Sequence, residues 1–489
     1  MTVRNFTDLK AFLFDNLTVK QTIFKNTFWL ATGTGISKFL KLALIIYVAR
    51  ILGATEYGKF TFALAFISLF LIFSDLGLSN IVIREFSREK EKEKEFYSAL
   101  SLKILLSLGA LILILIGSFF ITSDPAIQSL IWILALFCLV EGFLTLIYSF
   151  FQARQRMEYQ AWVTILESLV VTGCGFFVIL NYPSVKNLSY AYLFSSLVAL
   201  IFVLFFFHFK IFSLKITWQK LIWRKFLSMS WPLALAGLFS TLYTYTDSVM
   251  MGYWKMITET GWYNAAYRII ALTFIPLGFV TASFYPMMSK FFKESKEKLQ
   301  KTWNYQMETV ILLAVPSVIG GIILAPRIVG FVYGQDFTPA ILALQILMVM
   351  AGLVFLCTPF SYLLIASNQQ RNFFKVTFSA ALVNIVFNLI LIPKFNLYGA
   401  ATATIITYLL ILFLFFRFTM KFTPVQPINL KLLFTFIVAF LSSVPMYFVL
   451  LQPQIYNLNI FLSVLIGVLI YFTSLFICKN VIKPVYEKI

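Results

Sequence analysis

The chain has 489 residues, of which 60% are hydrophobic and 12% are charged, and its mean hydropathy is +0.88. So apolar a composition excludes a soluble globular domain and is typical of a helical protein that crosses the membrane many times. The formal net charge of +19 does not indicate nucleic-acid binding, because the basic residues cluster at the ends of apolar segments.

The first 25 residues mix acidic, basic and aromatic side chains, without a short apolar core followed by a cleavage site. This is not the pattern of a cleavable signal peptide. We expect residues 1–25 to form a cytoplasmic, amphipathic lead-in that lies on the membrane surface.

Apolar segments recur from residue 26 onward, and about 14 of them are long enough to cross a bilayer. Of the 39 Lys and Arg residues, 29 lie at or beyond the ends of these segments on one side, against six on the other. This is the positive-inside pattern, and an even number of spans then places both termini in the cytoplasm. The sequence therefore predicts an all-α polytopic membrane protein with about 14 transmembrane helices.

A basic segment, 209–228, separates six predicted spans from eight, and we predict that it is a cytoplasmic linker. The predicted parts on either side are an N-terminal bundle of six spans (26–208), a C-terminal bundle of spans seven to twelve (229–420), and an extra helix pair with a cytoplasmic tail (421–489). A weak internal repeat supports this division, because Glu-Tyr-Gly at 56–58 precedes Glu-Thr-Gly at 259–261 by 203 residues.

Two lysines, Lys38 and Lys41, lie near the middle of the first apolar segment, where a cation costs about 2.5–3.5 kcal/mol. They are three residues apart and therefore share one helix face. We interpret this face as a cationic lining for an anionic headgroup. The alternatives are that one lysine pairs with Asp75 or Glu141, or that it extends toward the membrane surface.

Three carboxylates, Asp75, Glu141 and Glu167, also fall inside predicted spans. Each could bind a coupling ion, and each has a structural alternative. Asp75 begins the motif Asp-Leu-Gly-Leu-Ser-Asn, where it could cap a helix break. Glu141 and Glu167 could instead form hydrogen bonds between helices.

The seventh span carries a polar stripe on one helix face, and this stripe includes Thr244 and Asp247. Arg268 lies at a similar depth on the eighth span, so we predict that Asp247 and Arg268 form an ion pair. Asn264, four residues before Arg268, would extend the same face. The pair would either fix the two helices or line a translocation path.

The sequence has no motif for bond-making chemistry. It lacks a Walker loop and an HExxH motif, contains a single His, and places its four Cys residues in apolar segments without CxxC spacing. We therefore expect a transporter, with no catalytic residues, metal site or cofactor.

Several short motifs, in their order and spacing, resemble those of the polysaccharide translocases (O-antigen flippases) of the multidrug/oligosaccharidyl-lipid/polysaccharide (MOP) exporter superfamily. The motifs are RILGATEYG at 50–58, DLGL at 75–78, Trp231-Pro232 with Asp247 in the same span, TETGWYNAAYR at 258–268, and IPKFNLYGAATAT at 392–404. The resemblance covers nearly the whole chain.

This resemblance implies two helical bundles around a central cavity that opens alternately to each side. The substrate would be an undecaprenyl-pyrophosphate-linked oligosaccharide, moved from the cytoplasmic to the periplasmic leaflet of the bacterial inner membrane. The cavity would be cationic and lined by spans one, two, seven and eight, on which Lys38, Lys41, Asp247 and Arg268 lie. Transport would be driven by an H+ or Na+ gradient or by the sugar gradient.

The expected partners are the lipid-linked oligosaccharide, membrane lipids, and the polysaccharide polymerase and chain-length regulator of the same pathway. We expect no nucleic-acid partner and a monomeric protein. The alternative functions are a lipid II flippase or a drug/cation antiporter of the same superfamily and, in a different class, a polysaccharide polymerase or ligase.

Overall fold

The computed structural model describes residues 11–88, 93–210 and 216–486, and all regular secondary structure within these ranges is helical. Parts of the predicted lead-in (1–10), linker (211–215) and tail (487–489) lie outside the described residues. The helices are α1 (Val19–Asp75), α2 (Leu78–Arg88), α3 (Glu93–Ile121), α4 (Pro125–Ala153), α5 (Met157–Asn181), α6 (Val185–Lys210), α7 (Lys220–Tyr253), α8 (Ile257–Glu294), α9 (Lys296–Val332), α10 (Ala340–Ala366), α11 (Gln370–Phe422), α12 (Leu430–Leu451), α13 (Pro453–Tyr456) and α14 (Ile460–Tyr486).

The two longest helices, α1 and α11, each consist of two helical segments that meet at a kink. In α1 the kink is at Gly53, whose φ of 76° lies in the left-handed region that glycine adopts without steric cost. In α11 it is at Asn396, with φ of 52°, and asparagine tolerates this region better than most residues. Each kink therefore replaces a loop between two predicted spans.

Eleven helices in the described ranges are long and apolar enough to cross a membrane. Because α1 and α11 have 57 and 53 residues, each is long enough for two crossings, which brings the number to thirteen. The 34 residues of α7 are long enough for the fourteenth. The prediction of a multi-pass helical membrane protein is confirmed.

The chain divides into two compact units, residues 1–241 and 242–489. The division falls inside α7 and not in the predicted linker at 209–228. About half of that segment is helical, because α7 begins at Lys220. The first part of α7 also buries apolar side chains in the first unit. Phe226, for example, is fully buried in a core cluster that includes Phe150.

Contacts between loops agree with the alternation of predicted spans across the membrane. At one end of α9, Gln300 donates a hydrogen bond to the carbonyl of Gln426 at 3.0 Å, and both loops are predicted to be cytoplasmic. At its other end Arg327, predicted to lie outside, donates to the Ser463 hydroxyl at 2.8 Å, and Ser463 is near the outer end of the last predicted span. The number of spans therefore agrees with the packing, and the cytoplasmic side remains a prediction from the charge pattern.

The last part of the lead-in is helical and continuous with the first span, because helix α1 begins at Val19. The described part before it packs on the protein, where the Trp29 indole donates to the carbonyl of Leu13 at 2.7 Å and Arg156 donates to the carbonyl of Phe14 at 3.0 Å. Hydrogen bonds to its own backbone hold this segment against the first unit, and its position on the membrane surface remains a prediction.

The kink in α11 leads to a prediction about stability. Gly399 lies against the backbone carbonyl of Leu391, so a β-carbon at position 399 has no room. We expect Gly399→Ala to lower the free energy of unfolding by about 1–3 kcal/mol, as overpacking does elsewhere. The measurement is thermal unfolding of the purified protein in detergent.

The matched control is Gly330→Ala, because this helical glycine has open space around it. Alanine favours a helix over glycine by about 1 kcal/mol, so this variant should melt at the same or a higher temperature. Equal melting of the two variants would show that the contact with Leu391 is not tight.

Candidate functional site

In the first unit, α1 and α5 run parallel and are in close contact at two levels. Gly33 approaches Ala161 so closely that a β-carbon on Gly33 would lie 2.8 Å from the Ala161 Cα. Further along, the side chain of Leu44 packs onto Gly175. Small residues at these positions let the two helices approach, as in other membrane helix pairs.

Between these two contacts lies an ion pair. The Lys41 Nζ of α1 is 2.5 Å from the Glu167 Oε1 of α5, with side-chain exposures of 30% for the lysine and 3% for the glutamate. Glu141 of α4 lies close enough to interact electrostatically with both, and its Oε1 is buried without a hydrogen-bond partner in the described ranges. The site thus combines one accessible cation with two carboxylates.

The partner of Lys41 differs from the alternatives that the sequence offered, which were Asp75 and Glu141. The position of Glu167 within an apolar segment predicts that it lies inside the membrane. It does not predict which helix packs against Glu167, and so the sequence did not identify Glu167 as the partner of Lys41. Lys38, one turn before Lys41, is exposed, and the two share a face as predicted.

Asp75 has a different partner, Lys103 of α3, which sequence reasoning did not single out. The Lys103 Nζ lies 3.0 Å from the Asp75 Oδ1, and the lysine side chain is only 1% exposed. Asp75 also accepts a hydrogen bond from the Ser79 hydroxyl at 2.6 Å, across the break at Leu76 and Gly77, where φ is positive. The predicted helix break is present, and Lys103 could have been found as the cation inside the third span.

In the second unit Asp247 of α7 is 1% exposed and is surrounded by neutral donors. Its carboxylate accepts hydrogen bonds from the Tyr263 hydroxyl at 2.6 Å, the Thr404 hydroxyl at 2.8 Å and the Asn388 amide at 2.5 Å. Among the ion pairs of the described residues, none includes Asp247. A carboxylate in such a place is costly unless it is protonated or holds a cation.

The hydrogen-bonding groups around Asp247 are incompletely satisfied. The Thr404 hydroxyl lies within reach of both Asp247 and the Ala400 carbonyl, at 2.9 Å from the latter, but it has one hydrogen. The Asn388 Oδ1 and Asn384 Nδ2 atoms are buried and have no partner within the described part of the chain. Carboxylate, amide, hydroxyl and carbonyl oxygens are the ligands that hard cations prefer.

The predicted ion pair between Asp247 and Arg268 was wrong. Arg268 is exposed, while Asp247 is buried against Tyr263. Tyr263 and Arg268 are five residues apart on α8, so they point in directions that differ by about 140°. The prediction failed because it did not take into account the direction of each side chain around its helix.

The other two predicted residues of this unit lie near the carboxylate in sequence but have other contacts. Asn264 donates to the Ser248 hydroxyl at 3.0 Å and is partly buried, and Thr244 is partly buried as well. Their role as substrate-binding residues remains a prediction.

Comparison with protein families identifies the chain. A sequence profile of the polysaccharide biosynthesis protein family matches residues 23–292, which is more than half of the chain. The chain belongs to this family. Its region of similarity includes Lys41, Glu167, Asp247 and Arg268.

Individual relatives agree with this membership. A probable low-salt glycan biosynthesis flippase, Agl15 of Haloferax volcanii, is 24% identical over 74% of this chain and 76% of its own length. An inward closed structure of the lipid II flippase MurJ superposes with a TM-score of 0.75 at 18% identity, covering 93% of this chain and 98% of that one. An inward-facing multidrug resistance MATE transporter of the MOP superfamily gives a TM-score of 0.67 at 17% identity, covering 79% and 94%.

The family member described here is therefore a multi-pass membrane protein whose fold is similar to that of MurJ and of MATE transporters. This agrees with the family resemblance of the sequence motifs.

The pair of Asp75 with Lys103 leads to a prediction about stability. Asp75→Asn leaves a buried ammonium without a counter-charge, so we expect it to lower the free energy of unfolding by about 3 kcal/mol. The double variant Asp75→Asn/Lys103→Met removes both charges and should recover most of this loss. Thermal unfolding in detergent measures both.

The control is Lys301→Ala, which breaks an exposed pair with Glu297 and should leave the melting temperature unchanged. A double variant as unstable as Asp75→Asn alone would contradict a purely structural role for the pair.

Proposed function

We propose that this transporter is a flippase for an undecaprenyl-pyrophosphate-linked oligosaccharide, which it moves from the cytoplasmic to the periplasmic leaflet of the bacterial inner membrane. The observation that carries the proposal is Lys41, a lysine deep inside a span that remains 30% exposed although it has a counter-ion. A lysine needed only for structure would be enclosed, as Lys103 is at 1%. The family and the glycan flippase among its relatives support the same substrate class.

Lys41 would bind the diphosphate by exchanging partners. Its ammonium has three donors, and only one of them is directed at the Glu167 Oε1. A diphosphate carries several negative charges and accepts charge-assisted hydrogen bonds, so it competes with Glu167 for the same ammonium. Lys38, exposed on the same face, would add a second cation, while the polyprenyl chain stays in the lipid.

Arg268, Asn264 and Thr244 of the second unit are proposed to contact the glycan or its diphosphate. Arg268 is exposed and suited to bidentate phosphate recognition, whereas Asn264 and Thr244 are polar groups without charge. Their contribution is testable with the same transport measurement as that of Lys41.

We further propose that Asp247 binds the coupling ion, either Na+ or a proton. Amide oxygen and nitrogen are distinguished only by their hydrogen bonds. If the Asn388 amide rotates by 180°, its oxygen faces Asp247 and the two would repel unless a cation lies between them. A cation would also leave Thr404 to donate to the Ala400 carbonyl.

A second candidate function is the flipping of lipid II, which the extensive superposition with MurJ favours. Lipid II carries the same polyprenyl diphosphate, so Lys41 would act in the same way and only the headgroup would differ. Parallel assays with both lipids distinguish the two substrates.

The flippase proposal is tested by the sidedness of labelled lipid-linked oligosaccharide in cells depleted of the protein. We expect the intermediate to remain on the cytoplasmic leaflet, with rescue by the wild type and at least tenfold less rescue by Lys41→Ala at equal expression. Lys301→Ala, which changes an exposed lysine at the end of α9, is the matched control and should rescue fully.

Two results would contradict this proposal. Full rescue by Lys41→Ala would remove the lysine from the substrate site. Accumulation of unpolymerised repeat units on the periplasmic leaflet would show that export is intact and would point to a polymerase or ligase.

The ion proposal is tested in reconstituted vesicles with imposed Na+ or H+ gradients. Asp247→Asn keeps the size of the side chain and removes its charge, so transport should lose its response to the gradient while substrate binding is retained. Tyr263→Phe removes one neutral donor and should reduce the rate less. Gradient-driven transport that persists in Asp247→Asn would place the coupling ion elsewhere.

A further inference from the structure

Helix α11 carries four cations near its two ends, and we call them the basic face. All four side chains are exposed, and they are Arg371, Lys375, Arg417 and Lys421. The rings of Phe373 and Phe415 stack with their centroids 6.1 Å apart, so the two ends of α11 lie side by side. The basic face therefore lies at one end of the second unit, which is the cytoplasmic end according to the charge pattern.

The basic face is directed away from the core of this unit. Phe373 and Phe415 pack in the same core cluster. A helical side chain two residues further along points in a direction that differs by about 160°. Arg371 and Lys375 flank Phe373 at this spacing, and Arg417 follows Phe415 in the same way. These three cations therefore lie on the side of α11 opposite the core, which in a membrane protein faces lipid.

An exposed apolar stripe continues from each pair of cations toward the middle of the membrane. In the first segment of α11 the stripe consists of Phe378 and Leu382, and in the second it consists of Phe413 and Leu409. Each stripe begins three or four residues from a cation and stays on the same helix face. A cation at the membrane surface with exposed apolar side chains beneath it is complementary to an anionic phospholipid.

The described residues supply no carboxylate to the basic face. From residue 337 to residue 486 the sequence has eight Lys and Arg residues and no Asp or Glu. Other lysines of this unit have partners, since Lys301 lies 2.7 Å from Glu297 and Lys431 lies 2.8 Å from Glu308. Within the described ranges, none of the four cations of the basic face forms an ion pair. The counter-charge must therefore come from outside this part of the chain.

The spacing of the four cations favours an external anion. Arg371 and Lys375 are four residues apart, and so are Arg417 and Lys421, so the members of each pair are neighbours on the helix surface. Like charges at this spacing repel each other and destabilise the helix. A phosphate group between two such cations replaces repulsion with attraction and accepts charge-assisted hydrogen bonds from both.

We propose that the basic face binds anionic phospholipids of the cytoplasmic leaflet, with one headgroup phosphate held by each pair of cations. Clusters of Lys and Arg next to a membrane span are attracted to the negative surface of this leaflet. The acyl chains then cover the apolar stripes, whereas a soluble acidic partner leaves them bare. The inference does not rest on the proposed flippase function, because it involves neither Lys41 nor Asp247.

The experiment is native mass spectrometry of the full-length protein released from nanodiscs that contain phosphatidylglycerol and phosphatidylcholine. The quadruple variant Arg371→Gln/Lys375→Gln/Arg417→Gln/Lys421→Gln should retain about tenfold less phosphatidylglycerol than the wild type, because it lacks all four cations. Each double variant, Arg371→Gln/Lys375→Gln or Arg417→Gln/Lys421→Gln, should lose one of the two lipids.

The matched control is Lys290→Gln/Lys301→Gln, which removes two exposed lysines that have carboxylate partners in the same unit. It should retain as much phosphatidylglycerol as the wild type. Excess inorganic phosphate should leave the lipids bound, because a free phosphate ion makes no contact with the apolar stripes.

Thermal unfolding in nanodiscs shows whether the quadruple variant is folded. With phosphatidylcholine alone, it should melt at the same temperature as the wild type or higher, because repulsion within each pair is removed. With phosphatidylglycerol, the wild type should melt at a higher temperature than in phosphatidylcholine, because a ligand that binds the folded state stabilises it. The variant should lose this increase.

Three results would overturn the inference: equal retention of phosphatidylglycerol by the quadruple variant, an equal loss from the control variant, or displacement of the lipid by an equimolar amount of undecaprenyl diphosphate, which would assign the face to the substrate. The proposed flippase function is measured separately, by the leaflet on which the lipid-linked intermediate accumulates. A protein that flips this intermediate but retains no phosphatidylglycerol would contradict the phospholipid site alone.

Discussion

A charged side chain inside the membrane has no water to pair with and needs a partner on a neighbouring helix. In the first unit the pair of Lys41 with Glu167 meets this need and joins α1 to α5. The pair is possible only because Gly33 and Gly175 let the two helices approach on either side of it. The same helix contact continues to the buried pair of Lys25 with Glu158. Packing of small residues and pairing of charges thus depend on each other along this interface.

Each unit has an ionisable side chain inside a predicted span, and the two carry opposite charges: Lys41 in the first unit and Asp247 in the second. The internal repeat, offset by 203 residues, matches Asp247 with Leu44, one turn from Lys41. In the first unit the first span is linked to the fifth by an ion pair, and in the second unit the corresponding spans are linked by the hydrogen bond from Asn388 to Asp247. A partly exposed cation suits an anionic substrate, whereas an enclosed carboxylate suits a small cation. Under the proposed function, the same arrangement of helices provides a substrate site in one unit and a coupling site in the other.

Sequence reasoning succeeded where a property depends on one helix and failed where it depends on two. The face shared by Lys38 and Lys41 follows from helical periodicity, and the break after Asp75 follows from its Leu-Gly sequence. The pairing of Asp247 with Arg268 failed because the direction of each side chain depends on how α7 and α8 are rotated. A cavity beside Asn26 also could not be predicted from the sequence, because it forms only when the lead-in folds back onto the turn between α4 and α5.

Composition and charge by themselves determined that this chain is a helical membrane protein of about 14 spans, with its positively charged loops on one side. They also predict which ionisable residues lie inside the membrane, because depth is set by position along an apolar segment. Only the tertiary structure decided which partner each of them has: Glu167 for Lys41, Lys103 for Asp75, and neutral donors for Asp247. The physical reason is that a partner is fixed by helix packing and rotation, and these depend on contacts between residues that are more than a hundred positions apart in many cases.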